Sequence, residues 1–391
     1  MKLTGILAAL LVLAVWVSAT ASDTFSQVWV YEEQGLTGSV LEVLDTEDGY
    51  LLVGGPEYRG GGWLGYTAGD GSLLWISGED DTRTFLCAAV LPGGGFGVLA
   101  RYDDPNPGAD RLLSALYFFD ALGNVFLEVI LPQNTSWLAY DDMGLFAIGS
   151  APDPAVQQGS AVALQSILRL DYEGNIRWEK RYDEDGYEGL MFQKGQAAGD
   201  GLLVTASAVN SRTQARVGLL FRIDQGGEVL WRREFAVDGE AYLTDACLAP
   251  DGLIAGTYAA MRYEDDGFPL DRAGTVFGMN LDGELIWEYT LQDEMTADWI
   301  LPVKNGLLLG SQGLNMLADP YQGQGWVMLL SPDGHPPAEG QTPGLAGSLY
   351  ELTGISLQAD GTVLLGGNHM DEPGFPRAPF VARLKFPEAL E

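Results

Sequence analysis

The sequence predicts an all-β protein: a seven-bladed β-propeller of four-stranded antiparallel blades, the last blade closed by the N-terminal strand. Three observations carry this prediction. A glycine followed by a short apolar run recurs seven times, a glycine followed four residues later by tryptophan recurs between those runs, and sustained helical periodicity is absent.

The glycine-led runs come first. They are Gly49-Tyr50-Leu51-Leu52-Val53, Gly95-Phe96-Gly97-Val98-Leu99, Gly144-Leu145-Phe146-Ala147-Ile148, Gly201-Leu202-Leu203-Val204, Gly252-Leu253-Ile254-Ala255, Gly306-Leu307-Leu308-Leu309 and Gly361-Thr362-Val363-Leu364-Leu365. Their spacings of 46, 49, 57, 51, 54 and 55 residues are those of blades rather than of short solenoid repeats. Each run is too short and too continuously apolar for an amphipathic helix and reads as a buried strand, B in each blade.

The second motif supplies strands C and D. Gly71 precedes Trp75, Gly174 precedes Trp178, Gly227 precedes Trp231 and Gly283 precedes Trp287, while Gly123 is followed by Leu127 at the same offset. Asp120, Asp171, Asp224 and Asn280 stand three residues before their glycines. An Asx side chain that bonds the turn backbone, followed by a glycine free to take positive φ, makes a tight hairpin. Strand C leads into that turn and strand D leaves it, carrying the tryptophan. Strand A occupies the stretch before each glycine-led run.

The seventh unit has a strand A around Leu349 to Leu357, a strand B at Thr362 to Leu365 and a strand C at Phe380 to Phe386, and then the chain ends. Ser26-Gln27-Val28-Trp29-Val30-Tyr31 has the character of the missing strand D. Pairing it with the last strand C would remove two open edges. Simple alternation would put Gln27, Trp29 and Tyr31 on one face and Val28 and Val30 on the other. The sixth unit departs from the pattern, since Asp333-Gly334 is followed by His335-Pro336-Pro337, which weakens or replaces its strand D.

Lys2, the apolar run Ile6 to Val17 and Ala19-Thr20-Ala21 have the form of an export signal, so residues 1–21 are expected to be cleaved and residues 22–391 to form a single domain. The run is too short to span a bilayer, and no membrane span is expected after cleavage. The localisation expected is exported, extracellular or in the cell envelope. With Lys+Arg 21 against Asp+Glu 54, a net charge of −33 argues against nucleic acid and anionic membrane surfaces. Two Cys and two His exclude a disulfide-dense scaffold and a multi-histidine metal centre. Cys87 and Cys247 fall in blades that lie nearly opposite and are expected to be separate buried thiols.

The segment Leu168-Arg169-Leu170-Asp171-Tyr172-Glu173-Gly174-Asn175-Ile176-Arg177-Trp178 resembles the repeat of secreted bacterial propellers of the quinoprotein-like, or PQQ-like, group. Arg222 to Trp231 and Met279 to Trp287 are similar to it as well. The resemblance implies the propeller fold, and in function either a non-enzymatic scaffold or a quinone-dependent dehydrogenase. In the dehydrogenases adjacent cysteines line the cofactor, whereas Cys87 and Cys247 lie 160 residues apart here. No cofactor is therefore expected. The acidic runs Asp183-Glu184-Asp185, Glu264-Asp265-Asp266 and Asp103-Asp104 keep calcium as an alternative, although none has the spaced calcium-loop pattern.

In a four-stranded meander the A–B and C–D turns open on one side of the ring and the B–C and D–A connections on the other. The A–B and C–D turns are short, and the B–C connections are long and different in every repeat. The ligand face is therefore expected on the B–C side. Candidate binding residues there are Tyr58, Arg59, Arg101, Tyr102, Arg262, Tyr263, Tyr321, His369 and Arg377, since Arg and Tyr side chains provide large contact areas that also hydrogen-bond. No catalytic motif and no metal site stands out. The function expected is a monomeric, non-catalytic binding or scaffold propeller for a protein, peptide or glycan of the cell envelope. The alternatives are a carboxylate-based polysaccharide hydrolase or lyase and, behind it, a quinone-dependent dehydrogenase.

Overall fold

Every glycine-led run is the second strand of a meander, hydrogen-bonded on both sides and buried on both faces. In the computed structural model the described residues are 26–32, 39–55, 61–77, 83–103, 112–152, 163–263, 269–291, 295–304, 306–312, 314–315, 322–323, 325–331, 333–335, 349–358, 360–372 and 375–385. Blade 1 comprises Ser39–Asp45, Gly49–Gly55, Trp63–Ala68 and Leu73–Ser77, and blade 2 Arg83–Val90, Phe96–Asp103, Leu112–Phe119 and Val125–Leu131. Blade 3 comprises Asn134–Asp141, Gly144–Pro152, Ala163–Leu170 and Ile176–Tyr182, and blade 4 Tyr187–Ala197, Gly201–Asn210, Arg216–Asp224 and Val229–Phe235. Blade 5 comprises Glu240–Leu248, Ile254–Tyr263, Pro269–Met279 and Leu285–Thr290. Blade 6 shows three strands among the described residues, Trp299–Val303, Gly306–Ser311 and Trp326–Leu330, with a small ribbon of Leu314–Asn315 and Gln322–Gly323 in its B–C connection. The residues that would form its fourth strand lie outside the described ones. Blade 7 is Leu349–Leu357, Val363–Glu372 and Phe375–Lys385, completed by Ser26–Glu32.

The strands A contact one another from blade 1 round to blade 7 and back to blade 1, so the seven sheets form a closed ring with strand A innermost. The protein is an all-β, seven-bladed β-propeller, and its described residues contain no helix. Between successive blades lies an apolar layer, such as Phe146, Ile148, Phe192, Val204 and Phe221 between blades 3 and 4. A single blade could not shield both faces from water, whereas a ring shields nearly all of them.

The recurring glycine and tryptophan form one contact repeated around the ring. Asp224 accepts the N–H groups of Gly226 and Glu228 at 2.9 and 2.8 Å, and Gly227 adopts φ 83°. Asp120, Asp171 and Asn280 build the same turn with Gly123, Gly174 and Gly283 at φ 81°, 81° and 84°. Each turn glycine then receives the strand D side chain of the preceding blade. A Cβ on Gly227 would lie 3.0 Å from the Trp178 ring, one on Gly283 3.1 Å from Trp231, one on Gly123 3.1 Å from Trp75 and one on Gly334 2.2 Å from Trp287. Trp178 Nε1 donates to Gln225 O at 3.0 Å and Trp231 Nε1 to Leu281 O at 2.7 Å, in each case two residues before the glycine. Glycine at this position is needed both for its positive φ and to let an indole lie on the backbone.

The ring closes as the sequence predicts, with one correction. Trp29 pairs with Arg383, the register position that Trp178 holds against Arg169 and Trp231 against Arg222. Arg383 Nη1 also reaches Gly69 O of blade 1 at 3.1 Å, which ties the last blade to the first. The register shifts between Gln27 and Trp29, however, so Val28 is the extra residue of a bulge and strict alternation begins only at Trp29. The segment expected to be the export signal lies outside the described residues. Among those described, no helix is long and apolar enough to cross a membrane.

Removing residues up to Glu32 should lower the melting temperature of the whole ring, because strand Phe375–Lys385 loses its outer partner. A truncated protein that melts like the chain that keeps this strand would contradict closure by it. Gly252 and Gly227 share a φ near 84°, but a Cβ on Gly252 meets nothing within 4 Å. Gly252→Ala should therefore cost on the order of 1–2 kcal/mol for backbone strain alone. Gly227→Ala should cost at least about 1 kcal/mol more, because it also displaces the Trp178 indole. Paired chemical denaturation of the two variants separates the terms.

Candidate functional site

Six of the seven inner strands carry a one-residue bulge at the same height. The extra residues are Leu41, Leu86, Ser136, Gln193, Thr244 and Thr353. The residue after each bulge begins a belt around the axis: Glu42, Cys87, Trp137, Lys194, Asp245 and Gly354, with Trp299 at the equivalent place in blade 6. Three members staple their blade to the next. Glu42 Oε2 accepts from Ala88 N at 2.6 Å, Trp137 Nε1 donates to Gly195 O at 2.8 Å and Asp245 Oδ2 accepts from Ile300 N at 3.2 Å. Bulge residues add a second staple, as where Thr244 Oγ1 donates to Ala297 O at 2.8 Å and Thr353 Oγ1 to Val40 O.

Lys194 occupies the axis. Its Nζ donates to Asp298 O at 2.7 Å and lies 3.8 Å from Asp245 Oδ2. The same atom lies 5.9 Å from the centre of the Trp137 ring and 5.4 Å from that of Trp299. One atom reaching from blade 4 to blades 3, 5 and 6 must lie close to the centre of the ring. Two indole faces and a carboxylate around an ammonium make a cation–π cage filled by the chain itself.

The carboxyls of the belt are perturbed by their surroundings. Burial pushes Glu42 up to about 7, against the opposing pull of the Ala88 N–H and of Lys194. Burial raises Asp245 too, opposed first by Lys194. Tyr140, on the strand A of blade 3, is 41% exposed, yet desolvation lifts its hydroxyl above the ordinary value, with Glu42 and Asp45 adding to the effect. Cys87 and Cys247 are separate, buried free thiols, and burial raises both well above the ordinary thiol range. Among the described residues no group of three or more His, Cys, Asp and Glu side chains is placed to hold a metal ion.

The residues singled out from the sequence divide into three groups. Tyr58, Arg59 and Tyr321 lie outside the described residues, and of the acidic runs Glu264-Asp265-Asp266 and Asp104 do too. His369 pairs with Ala378 in blade 7, with Arg377 on the adjoining strand; their backbones are placed and their side chains lie outside the description. The other four are well defined. Arg101 serves the joint between blades 2 and 3, where its Nη2 donates to Thr135 O at 3.1 Å and desolvation lowers its basicity. Tyr102 packs against the core shared by blades 1 and 2. Arg262 and Tyr263 end strand B of blade 5 on the B–C face, with Tyr263 40% exposed.

Around these two the structure assembles side chains the sequence does not single out. The Arg216 guanidinium lies 5.6 Å from the Tyr242 ring centre, and Tyr242 bonds Glu240. Arg232 lies 4.7 Å from the Tyr187 ring centre and pairs with Glu184, one of the predicted acidic run. Tyr187 and Asn210 both bond Glu234. All come from strand ends or connections that open on the B–C side of blades 4 and 5, and no short stretch of sequence contains them.

No family model and no curated protein matches this chain. Solved structures do. BamB from Moraxella catarrhalis is similar over 93% of this chain and 100% of its own, with a TM-score of 0.50 and 13% identity. The polysaccharide lyase Uly1 is similar over 96% of this chain and 95% of its own, with a TM-score of 0.60 and 9% identity. At such identities the likeness is one of fold.

Glu42 holds its proton up to about pH 7 in the folded chain, against 4.5 as its ordinary value. Its contribution to stability is therefore full below pH 4.5 and declines as pH rises through 7, by roughly 3 kcal/mol in all. Glu42→Gln should flatten that slope and raise the melting temperature at pH 8 more than at pH 5. Lys194→Met should cost about 3–5 kcal/mol by leaving Asp245 uncompensated. The double variant with Asp245→Asn should recover part of that loss in the same melting experiment.

Proposed function

We propose that this chain is an exported, non-catalytic binding or scaffold propeller of quinoprotein-like type. It takes a protein, peptide or glycan of the cell envelope on its B–C face and works as a monomer without a cofactor. The observation that carries the reading is a pair of ring–guanidinium contacts on that side, Arg216 with Tyr242 and Arg232 with Tyr187, beside the exposed Tyr263, set in connections that differ from blade to blade. Aromatic and guanidinium groups held by ion pairs give a pre-organised contact surface. Nine side chains were singled out for this face from the sequence, and the reading now rests on Arg262 and Tyr263 with the neighbours the fold adds.

A photo-crosslinking amino acid at position 263, in the native cell envelope, should capture a discrete partner. The same group at position 143 on the opposite A–B side, where Met143 is 63% exposed, should not. Equal capture from both positions, or capture only from 143, would refute the assignment of the face.

A second reading, a carboxylate-based polysaccharide hydrolase or lyase, is supported by one observation. Glu42 titrates near neutrality in the belt around the axis, within electrostatic reach of both Lys194 and Tyr140, and the fold is shared with a polysaccharide lyase. Groups tuned to neutral pH suit general acid–base chemistry. Release of reducing or unsaturated sugar ends from a polysaccharide panel, abolished by Glu42→Gln, would establish this reading in place of the first.

A further inference from the structure

The B–C hairpin of blade 4 is closely bonded within itself and to its neighbours. It runs from Asn210 to Ala215, where Asn210 N donates to Ala215 O at 2.9 Å and Gln214 N to Asn210 O at 2.8 Å. Asn210 Oδ1 accepts the N–H groups of Arg212 and Thr213 at 3.0 and 3.3 Å, and Asn210 Nδ2 donates to Glu234 Oε2 at 3.0 Å. Gln214 has a φ of 59° and is alone among the described non-glycine residues in taking a positive φ. Its Nε2 donates across the loop to Ser211 O at 2.9 Å. Ser211 N in turn donates to Gly186 O at 2.9 Å, which ties the hairpin to the connection that carries Asp183, Glu184 and Asp185. A left-handed backbone is unfavourable for glutamine and persists where the surrounding bonds over-determine it.

These bonds use the backbone and the Asn and Gln side chains, and none of them uses the Arg212 guanidinium. Arg212 is exposed at the tip, and its guanidinium has no partner. Every other arginine whose side chain is described interacts with a neighbouring group, in a chain where acids outnumber bases 54 to 21. Arg181, Arg216 and Arg232, for instance, pair with Glu179, Glu240 and Glu184. Asp183, Asp185 and Glu188, next to the hairpin, are likewise exposed and unpaired, while Glu184 is taken by Arg232. Register places Tyr187 opposite Asn210 and Glu188 opposite Val209, at the base of the hairpin. The outward chemistry of this platform is therefore a guanidinium beside carboxylates, on a support that is already ordered. A fixed tip spares a partner the entropy of ordering a loop.

We infer that Arg212 is the anchor of the B–C face and that the partner there is a protein. Its contact segment sets an Asp or Glu side chain on Arg212 and Lys or Arg side chains on Asp183 and Asp185. This inference rests on the B–C face being the binding face, and it names which of the three partner classes that face takes. A guanidinium meets a carboxylate through two parallel hydrogen bonds, and arginine is the cation most often found as an interface anchor. The acids beside it reject a partner that carries negative charge alone, because like charges brought together cost affinity. An acidic glycan is therefore repelled, and a neutral glycan leaves the charges of both signs without a counterpart. A polypeptide carries both signs at neighbouring positions. The net charge of −33 favours a segment that is basic overall, with its acid as the exception that meets Arg212.

The test places a photo-crosslinking amino acid at position 211, where the native serine hydroxyl is exposed and unbonded, in the full chain in its native cell envelope. The captured species should be a protein whose joined peptide, read by mass spectrometry, holds an Asp or Glu next to Lys or Arg. Arg212→Glu should lower the crosslinked yield about tenfold or more, the size of a hot-spot arginine. Arg212→Lys should lower it less, and Asp183→Lys with Asp185→Lys should lower it as well. All these variants should melt like the native chain, because none of the replaced side chains bonds another group. Reversing the captured acid of the partner to Arg should restore capture by Arg212→Glu, a result that loss of folding could not produce. Equal yields from the native chain and Arg212→Glu, or a joined peptide without an acid, would overturn the inference. So would a captured species that survives protease and is cleaved by periodate, because the partner would then be a glycan. Capture from position 263 with none from 211 would remove Arg212 as the anchor and leave the face assignment standing. Capture from neither position would remove both.

Discussion

An indole laid on the turn glycine of the next blade is the contact on which this molecule depends. Trp178 on Gly227, Trp231 on Gly283, Trp75 on Gly123 and Trp287 on Gly334 repeat it. Each joins the outer strand of one sheet to a turn of the following sheet, so no blade is complete without its neighbour. A second set of joints lies near the axis, where Glu42, Trp137 and Asp245 bond the backbone of the next inner strand. Outer latches and inner staples act at the two ends of each blade, and the apolar layers between them are buried only while both hold. Such an arrangement stabilises a closed ring and leaves an open arc with two exposed apolar faces.

The inner staples place charged groups where water is scarce. Glu42 and Asp245 are pushed toward neutrality by burial, and Lys194 is the cation that opposes the shift at both. A buried ion pair of this kind contributes little net stability compared with apolar packing, but losing one partner is costly. The axis is thus firm as built and sensitive to single changes. It also holds Glu42, a carboxyl that burial moves to about 7, and that gives the enzymatic reading its foothold.

The face proposed for a partner uses different physics from the axis. On the B–C face, ring and guanidinium pairs such as Arg216 on Tyr242 offer a polar, pre-arranged surface carried on variable connections. The ring that carries these connections is closed by the strand Ser26–Glu32, which fixes the blades relative to one another.

The fold was legible in the sequence because propeller contacts repeat. The same turn, built by Asp171 and Gly174 or by Asp224 and Gly227, needs the same residues each time, so local chemistry appears as a period in the chain. Strand closure by Trp29 could be read for the same reason, whereas the bulge at Val28 could not, since register is settled by twist and by the partner strand. The axial belt left a faint trace: Glu42, Trp137, Lys194, Asp245, Trp299 and Gly354 each stand seven residues before the glycine of their run. Apart from the tryptophans of blades 3 and 6 their chemical identities differ, so no motif marked them, and only the ring brings them together. Arg216 meets Tyr242, and Arg232 meets Tyr187, for the same cause, and Arg101 is a joint between blades rather than a surface group. Sequence alone determined what each blade must repeat. Tertiary structure decided what meets at the axis and on the faces, because those contacts join residues from different blades whose spacing along the chain carries no information about distance.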